Sequence, residues 1–170
     1  MKRILLLLLT TFTLSCCNND DDKPQNPIDQ LPPATQTGAN TFGCLINGEP
    51  FVVSNTSNQS AIYQGNLLQI SATFENSNSD QSIAFNLLNP LNINETYTFN
   101  NNAYKAGYSY ISNNITCIYD FDKTYQGVIN FTKIDTINFI VSGTFEFSTI
   151  TENCQDIKIT NGRFDLQYIP

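Results

Sequence analysis

Apolar side chains return at every second position along most of the chain beyond residue 40. Leu68, Ile70, Ala72 and Phe74 alternate with Gln69, Ser71 and Thr73, and Ile83, Phe85 and Leu87 repeat the pattern. Tyr104, Ala106, Tyr108 and Tyr110 make another such face, as do Tyr125, Gly127, Ile129 and Phe131. The longest run is Ile137, Phe139, Val141, Gly143, Phe145 and Phe147. Successive side chains of a strand point to opposite faces, so a period of two bounded by Asn, Gly and Ser clusters specifies strands buried on one side. Helical spacing with caps is missing throughout. Short runs of this kind, about nine or ten of them, predict an all-β fold. It is one antiparallel β-sandwich or flattened β-barrel, and alternation does not choose between the two.

Two Asn-Gly pairs mark hairpins, because a type I′ turn needs positive φ at both central residues. Asn47-Gly48 separates residues 41–46 from 49–53 and would set Cys44 opposite Phe51. Pro50 has no N–H for a ladder, which places its strand on an edge or at a bulge. Asn161-Gly162 separates residues 156–160 from 163–169, and a two-residue turn there would face Lys158 with Asp165 and Ile159 with Phe164.

The chain before residue 41 has a different character. Met1, Lys2 and Arg3 precede an apolar run over residues 4–9 and then Thr13-Leu14-Ser15-Cys16-Cys17. A charged start, a short apolar stretch and small residues before a cut site make a secretory signal. It is too short for the roughly 20 residues a membrane span needs. Its ending resembles the lipobox of bacterial lipoproteins, where signal peptidase II cleaves and the new terminal cysteine is acylated. Ser15 suits cleavage before Cys16 although Thr13 fits poorly; cleavage before Cys17 gains Leu14 but leaves Cys16 where a smaller residue is usual. Lipid attachment is therefore expected at Cys16 (or Cys17). Each buried acyl CH₂ contributes about 0.8 kcal/mol, so two or more chains anchor stably. Asn18-Asn19-Asp20-Asp21-Asp22-Lys23 resembles the surface-export signal of Bacteroidetes lipoproteins, and also reads as a solvated spacer. Pro24, Pro27, Pro32 and Pro33 among polar residues read as a flexible tether, since so few apolar groups cannot order a chain. The expected division is a signal peptide over 1–16, a tether over 17–40 and a β-domain over 41–170. The expected location is the outer membrane, lipid-anchored, on the cell surface or the periplasmic face.

Losing Lys2 and Arg3 with the signal takes the formal charge from −7 to −9. With no basic cluster, nucleic acid is not an expected partner. The chain has no His, which excludes imidazole-based nucleophile systems and imidazole metal sites. No cofactor and no metal is indicated, and what remains is carboxylate chemistry, a hard cation or plain binding.

Cys44, Cys117 and Cys154 lie in the exported domain, where oxidation is permitted. Cys117 and Cys154 sit in polar, turn-like surroundings and are the candidate disulfide; free thiols throughout is the competing reading, and Cys44 reads as buried in an apolar strand. Asp120-Phe121-Asp122 offers two carboxylates but not the remaining ligands or turn glycine of a calcium loop, so it reads as solvated. Glu146 with Glu152, or Glu75 with Asp80, would serve a glycosidase only if the fold converged them. Tyr104, Tyr108 and Tyr110 are candidates for stacking on a glycan, the alternative being tyrosines that rim the core with wet hydroxyls. Asn-x-Ser/Thr triplets at Asn55, Asn58, Asn94, Asn114 and Asn130 follow from asparagine abundance. Asp135-Thr136-Ile137 resembles the motif O-glycosylated in exported Bacteroidetes proteins, with Thr136 the acceptor, and equally makes a turn.

Residues 31–51, with Thr41-Phe42-Gly43-Cys44-Leu45-Ile46-Asn47-Gly48 at their centre, are similar to the opening of a family of uncharacterised flavobacterial lipoproteins. Ser142-Gly143-Thr144-Phe145-Glu146-Phe147 and Ile159-Thr160-Asn161-Gly162-Arg163-Phe164-Asp165 resemble that family's close. The resemblance implies lipidation and an exported β-domain, and no activity. The leading expectation is a non-enzymatic, lipid-anchored domain that binds a glycan, an envelope protein or the envelope itself, with no expectation of its oligomeric state. The alternatives are a carboxylate-dependent hydrolase acting on glycans, or a carrier of a small lipid-like ligand if the domain is a hollow barrel.

Overall fold

In a computed structural model, residues 26–89, 91–99 and 102–170 are described. The expected signal peptide, the expected lipid attachment at Cys16 or Cys17, and the acidic run that follows fall outside the described residues. Among the described residues eleven strands form: β1 (Thr41–Ile46), β2 (Glu49–Val53), β3 (Gln59–Gln64), β4 (Leu67–Glu75), β5 (Ser79–Leu88), β6 (Thr96–Thr98), β7 (Tyr104–Ser112), β8 (Thr116–Tyr119), β9 (Thr124–Asp135), β10 (Ile140–Thr149) and β11 (Ile157–Gln167). Sheet A has the order β2-β1-β11-β10-β9-β6 and sheet B the order β3-β4-β5-β7-β8, with antiparallel neighbours throughout. The sheets face one another without closing, so the fold is a β-sandwich. Two very short edge strands, β6 and β8, help carry the count past the nine or ten expected.

Alternation places the core where periodicity predicts. Ile83, Phe85 and Leu87 from sheet B are fully buried, as are Phe42, Ile129 and Phe131 from sheet A. The ring of Phe85 lies 4.9 Å from Phe145 and 6.4 Å from Phe42, centroid to centroid. Each fully buried ring contributes about 2–3 kcal/mol relative to exposure. Asn47 and Gly48, at φ 50° and 92°, make the expected hairpin, with Cys44 facing Phe51 and Pro50 on the edge strand β2.

The second Asn-Gly pair corrects the sequence reading. Asn161-Gly162 makes no turn: it lies inside β11, where pairing with β10 steps from Phe145–Gly162 to Phe147–Ile159. The pairing with β1 shifts at the same place. Asn161, at φ 55°, is a β-bulge. Gly162 is required there because a Cβ would sit 2.5 Å from the Phe145 ring. Asp165 therefore does not meet Lys158.

β9 is bulged too. Its pairing with β10 steps from Gln126–Ser148 to Thr124–Thr149, leaving Tyr125 unpaired. The face inverts at that step. Thr124 turns inward, donating to the Ala106 carbonyl at 2.7 Å, and Tyr125 turns out, 56% exposed. Gly127 permits the geometry, since a Cβ there would meet the Glu146 carbonyl at 2.6 Å. Ile137 and Phe139, assigned to the longest strand by alternation, lie instead in the exposed β9–β10 turn.

The tether expected to reach residue 40 is laid on the outside of sheet A from residue 26 onward. A short 3₁₀ turn (Pro27–Gln30) leads into a strap over residues 31–40. Pro32 rests over Gly43 on β1, the Gln36 carbonyl accepts from Lys133 Nζ on β9 at 3.1 Å, and Gly38 lies over Ile140 on β10. The strap's seat is Asp165. Its carboxylate accepts from the Thr35 hydroxyl (2.7 Å), the backbone N–H of Thr37 (2.9 Å), Gly38 (2.8 Å) and Ala39 (3.1 Å), and the Ser142 hydroxyl (2.7 Å). Polar pairing orders this segment, because only Leu31 within the strap is buried. At the far end, Ile169 leaves sheet A and exchanges backbone bonds with Ala61 and Tyr63 on β3, joining the two sheets.

Candidate functional site

β7 and β8 carry Tyr108, Tyr110, Cys117 and Tyr119 on their inner faces, with Tyr108 opposite Tyr119 and Tyr110 opposite Cys117. The Asn47-Gly48 turn and the β10–β11 connection form the facing wall. The result is a cleft of about 580 Å³ at one end of the sandwich, also reached by Ile46, Gln81, Ile115 and Ile157.

Its tyrosines differ in freedom. The Tyr108 hydroxyl donates to Gln81 Oε1 at 2.9 Å and the Tyr119 hydroxyl to the Gln155 carbonyl at 2.6 Å. Burial pushes both phenols above their ordinary pKa; Tyr119 and Tyr110 reinforce the rise at Tyr108, and Asp156 does so at Tyr119. Both are therefore neutral hydrogen-bonding groups at any physiological pH. The Tyr110 hydroxyl has no partner among the described residues and is the one left for a ligand. Beneath them burial raises the Cys44 thiol far above the usual range, so this cysteine is inert packing.

Cys117 and Cys154, the candidate pair, are joined by a disulfide with Cα atoms 6.1 Å apart. The bridge fastens the β10–β11 connection to edge strand β8 and fixes the cleft's outer wall. One carboxylate, Glu49, lies at the rim, and no Lys or Arg is among the lining residues.

Tyr104, Tyr108 and Tyr110 share a face, as alternation requires, but it is the inner one, so they do not form an exposed stacking platform. Tyr108 is buried and Tyr104 and Tyr110 pack against the core. Only Tyr108 and Tyr110 reach the cleft; Tyr104 lies at the other end of β7 against Tyr97, ring centroids 4.7 Å apart. Thr136 is exposed in the β9–β10 turn. Asp135 organises that turn by accepting from the N–H of Ile137 and Asn138 and from the Asn138 side chain. Bonds from the Asn138 side chain and backbone, then from Ile137 and Lys133, hold the Asp135 carboxyl well below the usual range. Glu75 and Asp80 oppose one another across the β4–β5 hairpin. Glu146 points outward from β10, and Glu152 lies in the β10–β11 connection. Each of the five clefts described is lined by a single acidic residue. No group of three metal-ligating side chains occurs among the described residues.

Sequence reasoning missed two features, the seat at Asp165 and the outward turn of Tyr125. The second left a trace in Gly127, since a glycine inside a strand pattern marks a bulge. No protein-family model, characterised protein or solved structure matches the chain.

Proposed function

We propose that this chain is a non-enzymatic binding domain, anchored by lipid at Cys16 or Cys17 and held at the outer membrane, whose end cleft takes a small neutral ring such as the terminal sugar of an envelope glycan. The observation that carries this reading is the unpartnered Tyr110 hydroxyl, set in the one described cleft where tyrosine rings, an amide and apolar side chains converge. Ligand sites are characteristically apolar clefts with a few placed polar groups. With no cation in the lining and Glu49 at the rim, the cleft disfavours anions. The lipobox resemblance supports the anchoring, and the exposed turn at Thr136 leaves that hydroxyl open to the proposed O-glycosylation. A lipid-carrying barrel required a hollow interior, and here phenylalanine rings fill the space between open sheets. Separated carboxylates support binding over hydrolysis.

The chain has no Trp, and three of its eight tyrosines line the cleft, so tyrosine emission carries a contribution from it. Titrating the detergent-solubilised lipoprotein with neutral envelope oligosaccharides should change that emission. Tyr110→Phe, which removes one hydroxyl, should weaken binding about tenfold, or 1.4 kcal/mol. Unchanged affinity in that variant, or no response to any neutral glycan, sinks the cleft reading.

A further inference from the structure

The outer face of sheet A is bare over the half that the strap leaves uncovered, and it is not flat. Two depressions of about 360 and 350 Å³ meet at Glu146 and form one groove across β9, β10 and β11. Tyr125 and Lys158 line the first; Asn130, Asn161 and Arg163 line the second, with Ala34 of the strap as its end wall. The bulge at Tyr125 stands at one end and the bulge at Asn161 lies beside Glu146, where the two depressions meet; bulges deepen local twist and re-aim side chains.

Two properties separate this groove from an ordinary solvated sheet face. Tyr125 is the most exposed tyrosine among the described residues, and an unpaired bulge position delivers it there. Lys158 and Arg163 both project from the outer side of β11, yet neither forms an ion pair; the two found among the described residues join Lys123 to Asp122 and Lys133 to Asp135. In a chain of formal charge −7, two cations without carboxylate partners on one face make a local positive site in a negative field. Arg holds a carboxylate bidentately, and an aromatic ring offers a face to the C–H side of a sugar. Glu146 lies between the two cations, which rejects a dense polyanion but tolerates anionic groups spaced apart.

We infer that this groove is a second binding site, for an acidic polysaccharide whose carboxylates are separated by neutral sugars. One carboxylate sits on Arg163 and another near Lys158, with a sugar face on Tyr125 and Glu146 accepting from intervening hydroxyls. The site is on a different face from the end cleft and stands or falls apart from it.

The test uses the full acylated chain in detergent micelles, with hyaluronan oligosaccharides, whose carboxylate recurs on every second sugar, against the same oligosaccharides after carboxyl reduction. The acidic chain should bind at least tenfold more tightly, with an affinity that falls as salt rises. Lys158→Ala with Arg163→Ala should remove that preference and flatten the salt dependence, and Tyr125→Ala should weaken both ligands. Lys158→Glu should act more strongly than Lys158→Ala, a contrast that loss of fold would not produce when circular dichroism is unchanged. Tyr110→Phe, in the cleft, should leave hyaluronan binding as it was. Equal affinity for the reduced chain, indifference to the double substitution, dependence on Tyr110, or no binding of either oligosaccharide would each overturn the inference.

Discussion

On the outer face of sheet A, one set of strands presents two unlike surfaces. Under the strap, Ile140, Ser142 and Asp165 are buried although they point away from the core between the sheets. Past Ala34, the same strands β10 and β11 present Glu146 and Lys158 to solvent. Strands β10 and β11 run on through both halves, with the bulge at Asn161 on the bare side. A strap of ten residues, held through one carboxylate, decides which half is interior. The covered half should therefore carry stability and the bare half recognition.

The largest expected effect is at Asp165. Asp165→Ala strands the donors of Thr35, Thr37, Gly38, Ala39 and Ser142 and should cost on the order of 3–5 kcal/mol in urea unfolding. A cost below about 1 kcal/mol would erase the distinction between the halves. Gly162→Ala, at the bulge behind both surfaces, forces a methyl against the Phe145 ring and should cost about 2–3 kcal/mol. Because Gly162 faces the core, this loss should leave strap protection in hydrogen exchange unaltered until global unfolding.

Acid should release the covered half with a smaller effect, since a protonated Asp165 still accepts some of its bonds. Burial alone would raise the Asp165 pKa, but bonds from Thr35, Ser142, Thr37 and Ala39 outweigh it and hold the carboxyl well below the usual range. The unfolded chain thus binds the proton first. Stability from this group is complete above the unfolded value of about 3.9 and fades as pH falls below it toward the folded value. Asp165→Asn should flatten the stability–pH curve below about pH 4; an unchanged curve would assign the acid response to Asp135 instead. Smallest of all, Tyr125→Ala and Lys158→Ala should each shift stability by no more than about 0.5 kcal/mol. A larger loss would mean that the bare half is structural after all.

The periodicity of two made the strands legible, and the first Asn-Gly turn fixed the register of β1 with β2 down to Cys44 and Phe51. The second Asn-Gly pair misled for a physical reason. Positive φ at Asn serves a turn or a bulge equally, and the choice lay with β1 and β10, which flank β11 on both sides. Among the described residues, six of the seven non-glycine positions at positive φ are asparagine, so the asparagine abundance marked sharp backbone changes without saying which kind. Tyrosine alternation on β7 was right about a shared face and silent about which way it pointed. The strap was illegible because composition measures apolar burial, and this segment is held by hydrogen bonds to a carboxylate 126–130 residues away.

The position of β11 has a kinetic consequence. It is the last strand in chain order, yet it lies between β1 and β10 near the middle of sheet A. Until it emerges, the first hairpin and the β9–β10 pair have nothing to join them, and Asp165 is not there to receive the strap. A polypeptide made from its N-terminus would thus stay open for nearly its whole synthesis and close in one late step. Deleting that final segment should leave an open chain exposed to proteases, not a smaller folded one.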